Sequence, residues 1–557
     1  MRRALALLLL LAAGCGGRES RSSDARSLNP FRPDDVRLTF TYGSEKEAWI
    51  KEATAAFNAG EHKIASGKRI QVEAIPMGSG ESIDELLNET RKAHLTSPAS
   101  AAFVTLANAQ SRARTGQDLI ERPENLVLSP VVIAMWRPMA EALGWPGKAV
   151  GWSDVLALSR NPEGWASVGH PEWGPFRFGH THPESSNSGL ISILAEVYAA
   201  TGKKSGLSVA DLQDERTATY VRDIEHAVVH YGSSTGFFGR KMFANGPRYL
   251  SAAVLYESMV IEAGSGQTGM PFPVVAIYPK EGTFWSDHPV GVVNRPWVTP
   301  DHREAAKVYI AHLLSREQQE KAIPFGFRPG DVNVPLAAPI DSSHGVDPRE
   351  PKTTLEVPSA DVMDAVLRLW RENKKHAHIT LVLDVSGSME SDSKMENARE
   401  GALQLVEQLG DRDEFSFIPF NDTVRTATTA VRLADGRAQV NQGIRGLYAD
   451  GGTALYDAID RAYAQHMQRR DEDRGKISAI VVLSDGEDRD SKLALEPLLQ
   501  RIRFDNETRT VRVFTIAYGK DAKEDVLKQI ADATQARQYQ GTPQNIRSVL
   551  REIATFF

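Results

Sequence analysis

The sequence predicts an α/β protein of more than one domain, and three observations carry that reading. Runs with strand alternation end repeatedly in Gly/Ser turns that lead straight into helical apolar spacing. Ile480-Val-Val-Leu483 is apolar throughout, as a buried parallel strand is. The chain has 557 residues, more than one ordinary core accommodates.

The first residues carry a different signal. Arg2 and Arg3 precede an apolar segment, residues 4–13, too short to span a bilayer, and the run ends on Ala-Ala-Gly-Cys15. Residues 1–15 read as a signal peptide. The ending resembles a bacterial lipoprotein processing box, which implies that Cys15 becomes a lipidated N-terminus. Cys15 is the only cysteine in the sequence, so no disulfide within one chain is available. Gly16 follows it, not the aspartate that resembles an inner-membrane retention signal, which favours the outer membrane. Residues 16–35 are small, polar and aperiodic, a flexible tether. The formal charge of -7 supplies no basic face for nucleic acid.

From Val36 the elements follow in order. Residues 37–42 alternate as a strand and break at Gly43-Ser44. Residues 45–58 place Ala48, Trp49, Ala53 and Phe57 at helical spacing. A second strand is predicted over 70–77, then a helix over 83–93 capped by Ser82, then a third strand over 101–106. Strand, turn and helix in repetition argue for a parallel sheet.

This opening resembles the type II periplasmic substrate-binding proteins, which implies two lobes closing on a ligand. Residues 126–134 look like the crossing into the second lobe, 151–157 like the helix after it, and 177–189 like its ligand loop. Residues 272–278 look like the return crossing, and 300–327 like the closing helices. The domain spans 36–374. The first amides of a helix attract anions, so the turns at Ser44, Ser79, Ser186 and Ser188, with Ser129, Tyr256 and Glu257, are candidates to line an inter-lobe cleft for a small solute. Glu257 would oppose an anion and favour an amine-bearing or peptide ligand. Pro329 to Pro358 reads as a terminal wrap, and a helix over 359–370 with Ser359 as cap leads to a charged bridge.

Residues 375–557 form a second α/β domain. Leu381-Val-Leu-Asp-Val-Ser-Gly-Ser-Met389 runs an apolar strand into a turn on which Asp384, Ser386 and Ser388 alternate. Hard oxygen donors at a strand's C-terminal end suit a small divalent cation. Helices are predicted over 395–409 and 522–533 and from Thr542, with strands over 415–420 and 511–518; Pro419 hints at an edge or terminal position. Asp450-Gly-Gly-Thr-Ala-Leu455 and Val481-Val-Leu-Ser-Asp-Gly-Glu487 supply the remaining pieces. Together they resemble the metal-ion-dependent adhesion site of von Willebrand factor type A domains, doubly wound and Rossmann-like. The resemblance implies that Ser386, Ser388 and Thr453 ligate Mg2+ (Mn2+ and Ca2+ being alternatives), with Asp384 and Asp485 acting through water or hydrogen bonds. It leaves a coordination position for an Asp or Glu of a protein partner.

Competing motifs fail. The acidic stretch 485–496 has Arg489 at a ligand position of a calcium loop and Asp490 where glycine must turn. Ser391-Asp-Ser-Lys394 lacks the companions of penicillin-interacting enzymes. The fourteen histidines show no ligand spacing, and His376 and His378 are expected at a strand's exposed start. No catalytic machinery is visible, so the expectation is a binding protein, not an enzyme. It would be extracytoplasmic and lipid-anchored to a bacterial membrane, at the periplasm or cell surface. The alternative is a solute receptor for an ABC permease, its C-terminal domain a docking module.

Overall fold

The computed structural model describes residues 35–266, 270–473, 475–503, 511–520 and 522–557. The signal peptide, Cys15 and nearly all of the tether lie outside them. Three sheets organise the described chain. The first lobe holds five strands in the order 70–77, 36–43, 95–97, 289–293, 120–125. The second lobe is built on the strand Val127–Trp136, which pairs with 252–256, 274–277, 285–286 and 328–329.

Two local expectations are corrected here. Residues 101–106 open a helix, Ala101–Thr115, not a strand. Ser100 caps it by accepting the Ala102 amide, and the alanine-rich sequence continues the helix. The third strand is Leu95–Ser97, too short to show alternation. The neighbouring helix runs Ser79–Leu87 rather than 83–93. Ser82 is therefore not its cap but lies inside it, buried and donating to Thr41 Oγ1 at 2.8 Å.

The C-terminal domain has six strands in the order 428–432, 414–420, 377–384, 477–484, 512–518, 538–541. All neighbours are parallel except the first pair. That pair shifts register between Phe415 and Phe417, and Ala430 there adopts a positive φ of 45°. The Ala430 amide is satisfied by Ser416 Oγ at 2.8 Å. Pro419 sits at the end of a strand paired on both sides, beyond the last pairing with 428–432. The last helix is Ile546–Ala554, preceded by a turn in which Thr542 O accepts the Asn545 and Ile546 amides.

Ser359 takes the N-cap backbone position of the helix Ala360–Asn373, but its side chain makes no capping bond. This helix packs on 187–201 and 215–225 of the second lobe and on 101–115 of the first. An apolar core runs from the second lobe through Val366 and Trp370 to Leu405 and Leu550 of the C-terminal domain. The first lobe's sheet has its own core, as does the opposite face of the C-terminal sheet.

Candidate functional site

Asp384 ends the strand Ala377–Asp384, third of six and buried along its length. Its Oδ1 accepts the Ser386 amide at 2.8 Å and its Oδ2 accepts the Ser484 hydroxyl at 2.6 Å. Ser386 and Ser388 hydroxyls lie 3.0 Å apart, and Ser388 donates to Asp485 Oδ1 at 2.7 Å. The Gly387 amide bonds Gly451 O, and the Asp450 amide bonds Val385 O, which brings the 450–454 loop onto the strand end. Thr453 is pinned there by its amide to Asp490 Oδ2 at 2.7 Å and by the Arg489 and Asp490 amides on its carbonyl. A β-carbon built at Gly486 would lie 3.5 Å from Thr453 Oγ1, so the hydroxyl faces the Asp485 turn. All five predicted positions thus meet at one pole, with Ser388 at its exposed side.

The donor set fits a hard divalent cation. Three hydroxyls and two buried carboxylates supply only oxygen. Burial pushes Asp384 up to about 6, and Asp485 beside it adds to the rise. Such a carboxyl gains from positive charge placed next to it. Sequence reasoning missed the cation the chain itself provides: Lys394, buried, with its ammonium 2.6 Å from Asp485 Oδ2. It also missed Ser484 and Asp490, although both stand within or beside the quoted motif.

Ser44, Ser79, Ser186, Ser188 and Tyr256 lie where the lobes meet, and each is hydrogen-bonded to another group of the protein. Ser44 Oγ donates to Ser234 Oγ at 2.8 Å and accepts the Gly236 amide. Ser188 joins Thr181 and Thr235, and Ser186 joins Thr235. Tyr256 OH accepts Asn187 Nδ2, whose Oδ1 takes the Ser100 hydroxyl. The amides at two helix starts here are taken. Gly80 and Glu81 N–H groups point at Ser185 O of the other lobe, and Ala101 N–H at Asp287 Oδ1. Ser79 accepts the Ala99 amide, and Ser129 the Ser258 amide.

Glu257 is corrected. Fully buried, it is clasped by Arg328 through Nε at 2.8 Å and Nη2 at 2.6 Å, with Tyr278 OH on the same carboxylate. It is neutralised within the protein and selects no amine. The charged group in the cleft is one the sequence reading passed over: Glu45, Lys46 and His288, all buried. Lys46 Nζ lies 2.9 Å from Glu45 and 3.1 Å from His288 Nδ1. Its signal was present, two opposite charges directly after the Gly43-Ser44 turn.

His378 is also corrected. It is fully buried, because its strand is internal, and it bonds Asp473 at 2.8 Å and Ser416 at 3.0 Å through its two nitrogens. His466 lies beside it with ring centroids 4.2 Å apart. His378, His466 and Asp473 bring potential ligand atoms within 4.8 Å of one another, as do His180, Glu196 and Glu225. In the second group Glu225 takes His180 Nε2, Tyr231 OH and Trp370 Nε1.

The family model of bacterial extracellular solute-binding proteins matches residues 38–328, over half of the chain, and that of the von Willebrand factor type A domain matches 378–552. Inter-alpha-trypsin inhibitor heavy chain H2 of Sus scrofa is 27% identical over 164 residues, as is that of Homo sapiens, covering 28% of this chain and 17% of each relative. A periplasmic thiamin binding protein is similar in structure with 13% identity and a TM-score of 0.43, over 61% of this chain and 96% of that one. A von Willebrand factor type A structure from Catenulispora acidiphila is 22% identical with a TM-score of 0.28, over 33% of this chain and 42% of that one. The chain belongs to the bacterial extracellular solute-binding protein family, and behind that region it carries a von Willebrand factor type A domain.

Proposed function

We propose that the protein is an extracytoplasmic binding protein, anchored through lipidated Cys15, that captures an acidic group of another protein at the metal site of its type A domain. The observation that carries this reading is the meeting of Asp384, Ser386, Ser388, Thr453 and Asp485 at one strand edge. Ser386, Ser388 and Thr453 would hold Mg2+, and Asp384 and Asp485 would orient those hydroxyls. When bound, the metal supplies an open position for an Asp or Glu carboxylate. The role is binding, not catalysis. The solute-binding region would recognise a small ligand between its lobes. Among the described residues no helix is long and apolar enough to cross a membrane.

Thermal unfolding tests the metal reading. Mg2+ should raise the midpoint of the wild-type chain relative to EDTA, and leave Ser386→Ala and Thr453→Ala unmoved while both stay folded. A wild-type midpoint indifferent to Mg2+ would sink it.

A further inference from the structure

The seam between the two lobes is covered on one side by the type A domain. Its last helix, Ile546–Ala554, faces a cavity of about 230 Å³ lined by Gly80, Glu81 and Asp84 of the first lobe, Glu184, Ser185 and Ser233 of the second, and Arg551 and Glu552. Arg551 reaches Asp84 of the first lobe at 3.7 Å. Just beyond the helix, Phe556 O accepts the Tyr231 amide of the second lobe, and the Phe556 ring packs beside His230 and Lys241. The helix Ala360–Asn373 straddles the same two lobes from its own side.

Beneath this cover the lobes meet backbone to backbone. A β-carbon at Gly80 would lie 1.9 Å from Glu184 O, and one at Gly236 would lie 2.7 Å from Ser44 O. Either would collide with main chain across the cleft, so both close approaches require glycine. The cross-cleft bonds from Gly80, Glu81, Gly236, Ser100 and Ser44 satisfy groups that a bound solute would otherwise meet. Opening the lobes would break these bonds and pull Asp84 away from Arg551 at the same time.

We infer that the type A domain is an intramolecular latch on the solute cleft: its last helix and tail hold the lobes in the closed, mutually bonded state, and solute exchange requires this cover to lift. The inference rests on reading the cleft as the solute site, but its test uses no solute.

Amide hydrogen exchange on the full chain reads the latch. In Arg551→Glu/Phe556→Ala, exchange at Gly80 and Glu81 should rise about tenfold, together with Gly236. Gly236 bonds Ser44 across the cleft, not the type A domain, so its response separates opening of the cleft from loosening of the cover. Amides of strands 127–136 and 377–384 should stay protected, which certifies the fold. In reverse, Gly236→Ala should wedge the lobes and raise exchange at Tyr231, since coupling acts in both directions. Unchanged exchange at Gly236 in the first variant, or at Tyr231 in the second, overturns the latch.

Discussion

Lys394 donates to Asp485 Oδ2 at 2.6 Å while Ser388 donates to Oδ1 of the same carboxylate at 2.7 Å. One buried carboxylate therefore joins the Ser386–Ser388 turn to the first residue of the helix Lys394–Gln408. Removing one partner of a buried pair leaves an uncompensated charge and costs about 3–5 kcal/mol. Lys394→Met should destabilise the chain by roughly that amount in EDTA, and Mg2+ should restore more stability to the variant than it adds to wild type. Chemical denaturation with and without Mg2+ measures both. Equal Mg2+ increments in the two proteins would contradict the shared use of Asp485.

Asp490 touches no predicted ligand oxygen yet holds the Thr453 amide at 2.7 Å. Groups that orient ligands typically change metal affinity by about 10–100-fold when removed. Asp490→Ala should weaken Mg2+ binding in calorimetry by that factor, with the unfolding midpoint in EDTA changed little. Unaltered affinity would mean that the loop orients Thr453 without it.

The cleft sets a pH dependence. Burial, with the charge of Lys46 beside it, holds His288 down at about 4. An unfolded histidine takes up its proton below about 6.5, so between pH 6.5 and 4 the unfolded chain binds the extra proton. Stability from this group falls as pH drops through that window, by about 1.4 kcal/mol per pH unit. Burial would raise Glu45, but Lys46 and His288 hold it at about 2, so it loses stability in the same direction at lower pH. His288→Asn should flatten the urea-derived stability profile between pH 6.5 and 4 by one proton's slope. A profile parallel to wild type would reject the assignment.

Glu225 gathers His180, Tyr231 and Trp370, the last from the helix that leads into the type A domain. Glu225→Gln removes the charge that His180 faces inside the protein. The expected loss is about 3 kcal/mol, with increased exchange along 360–373. Retention of wild-type stability would show that the cluster is neutral in the folded state.

The Asp384 pole was legible because its residues belong to short, contiguous phrases at strand ends whose resemblance to one family site links them, although it is the helical turn after the strand, and not alternation, that carries Ser386 and Ser388. The strands over 36–43, 70–77 and 477–484 were legible for a related reason: burial on a sheet writes itself into local pattern. What was lost depends on contacts distant in sequence. Leu95–Ser97 is defined by its neighbours, not by its own three residues. Glu257 is neutralised by Arg328, 71 positions away. His378 looked exposed because it begins a strand, and only the sheet order shows two strands flanking it. The self-bonded cleft could not be read from turns whose partners lie on the other lobe.

The register shift at Ala430 has a consequence for how this chain meets other molecules. A straight edge strand offers a row of free amides and carbonyls on which a second chain could add its own strand, the beginning of aggregation. Here the outer strand, 428–432, kinks at its centre and turns one amide inward to Ser416. That interrupts the template. Main-chain pairing is discouraged along this flank, and under the proposed metal-dependent capture recognition would fall instead to the loops above the sheet, where withdrawing an ion would release it.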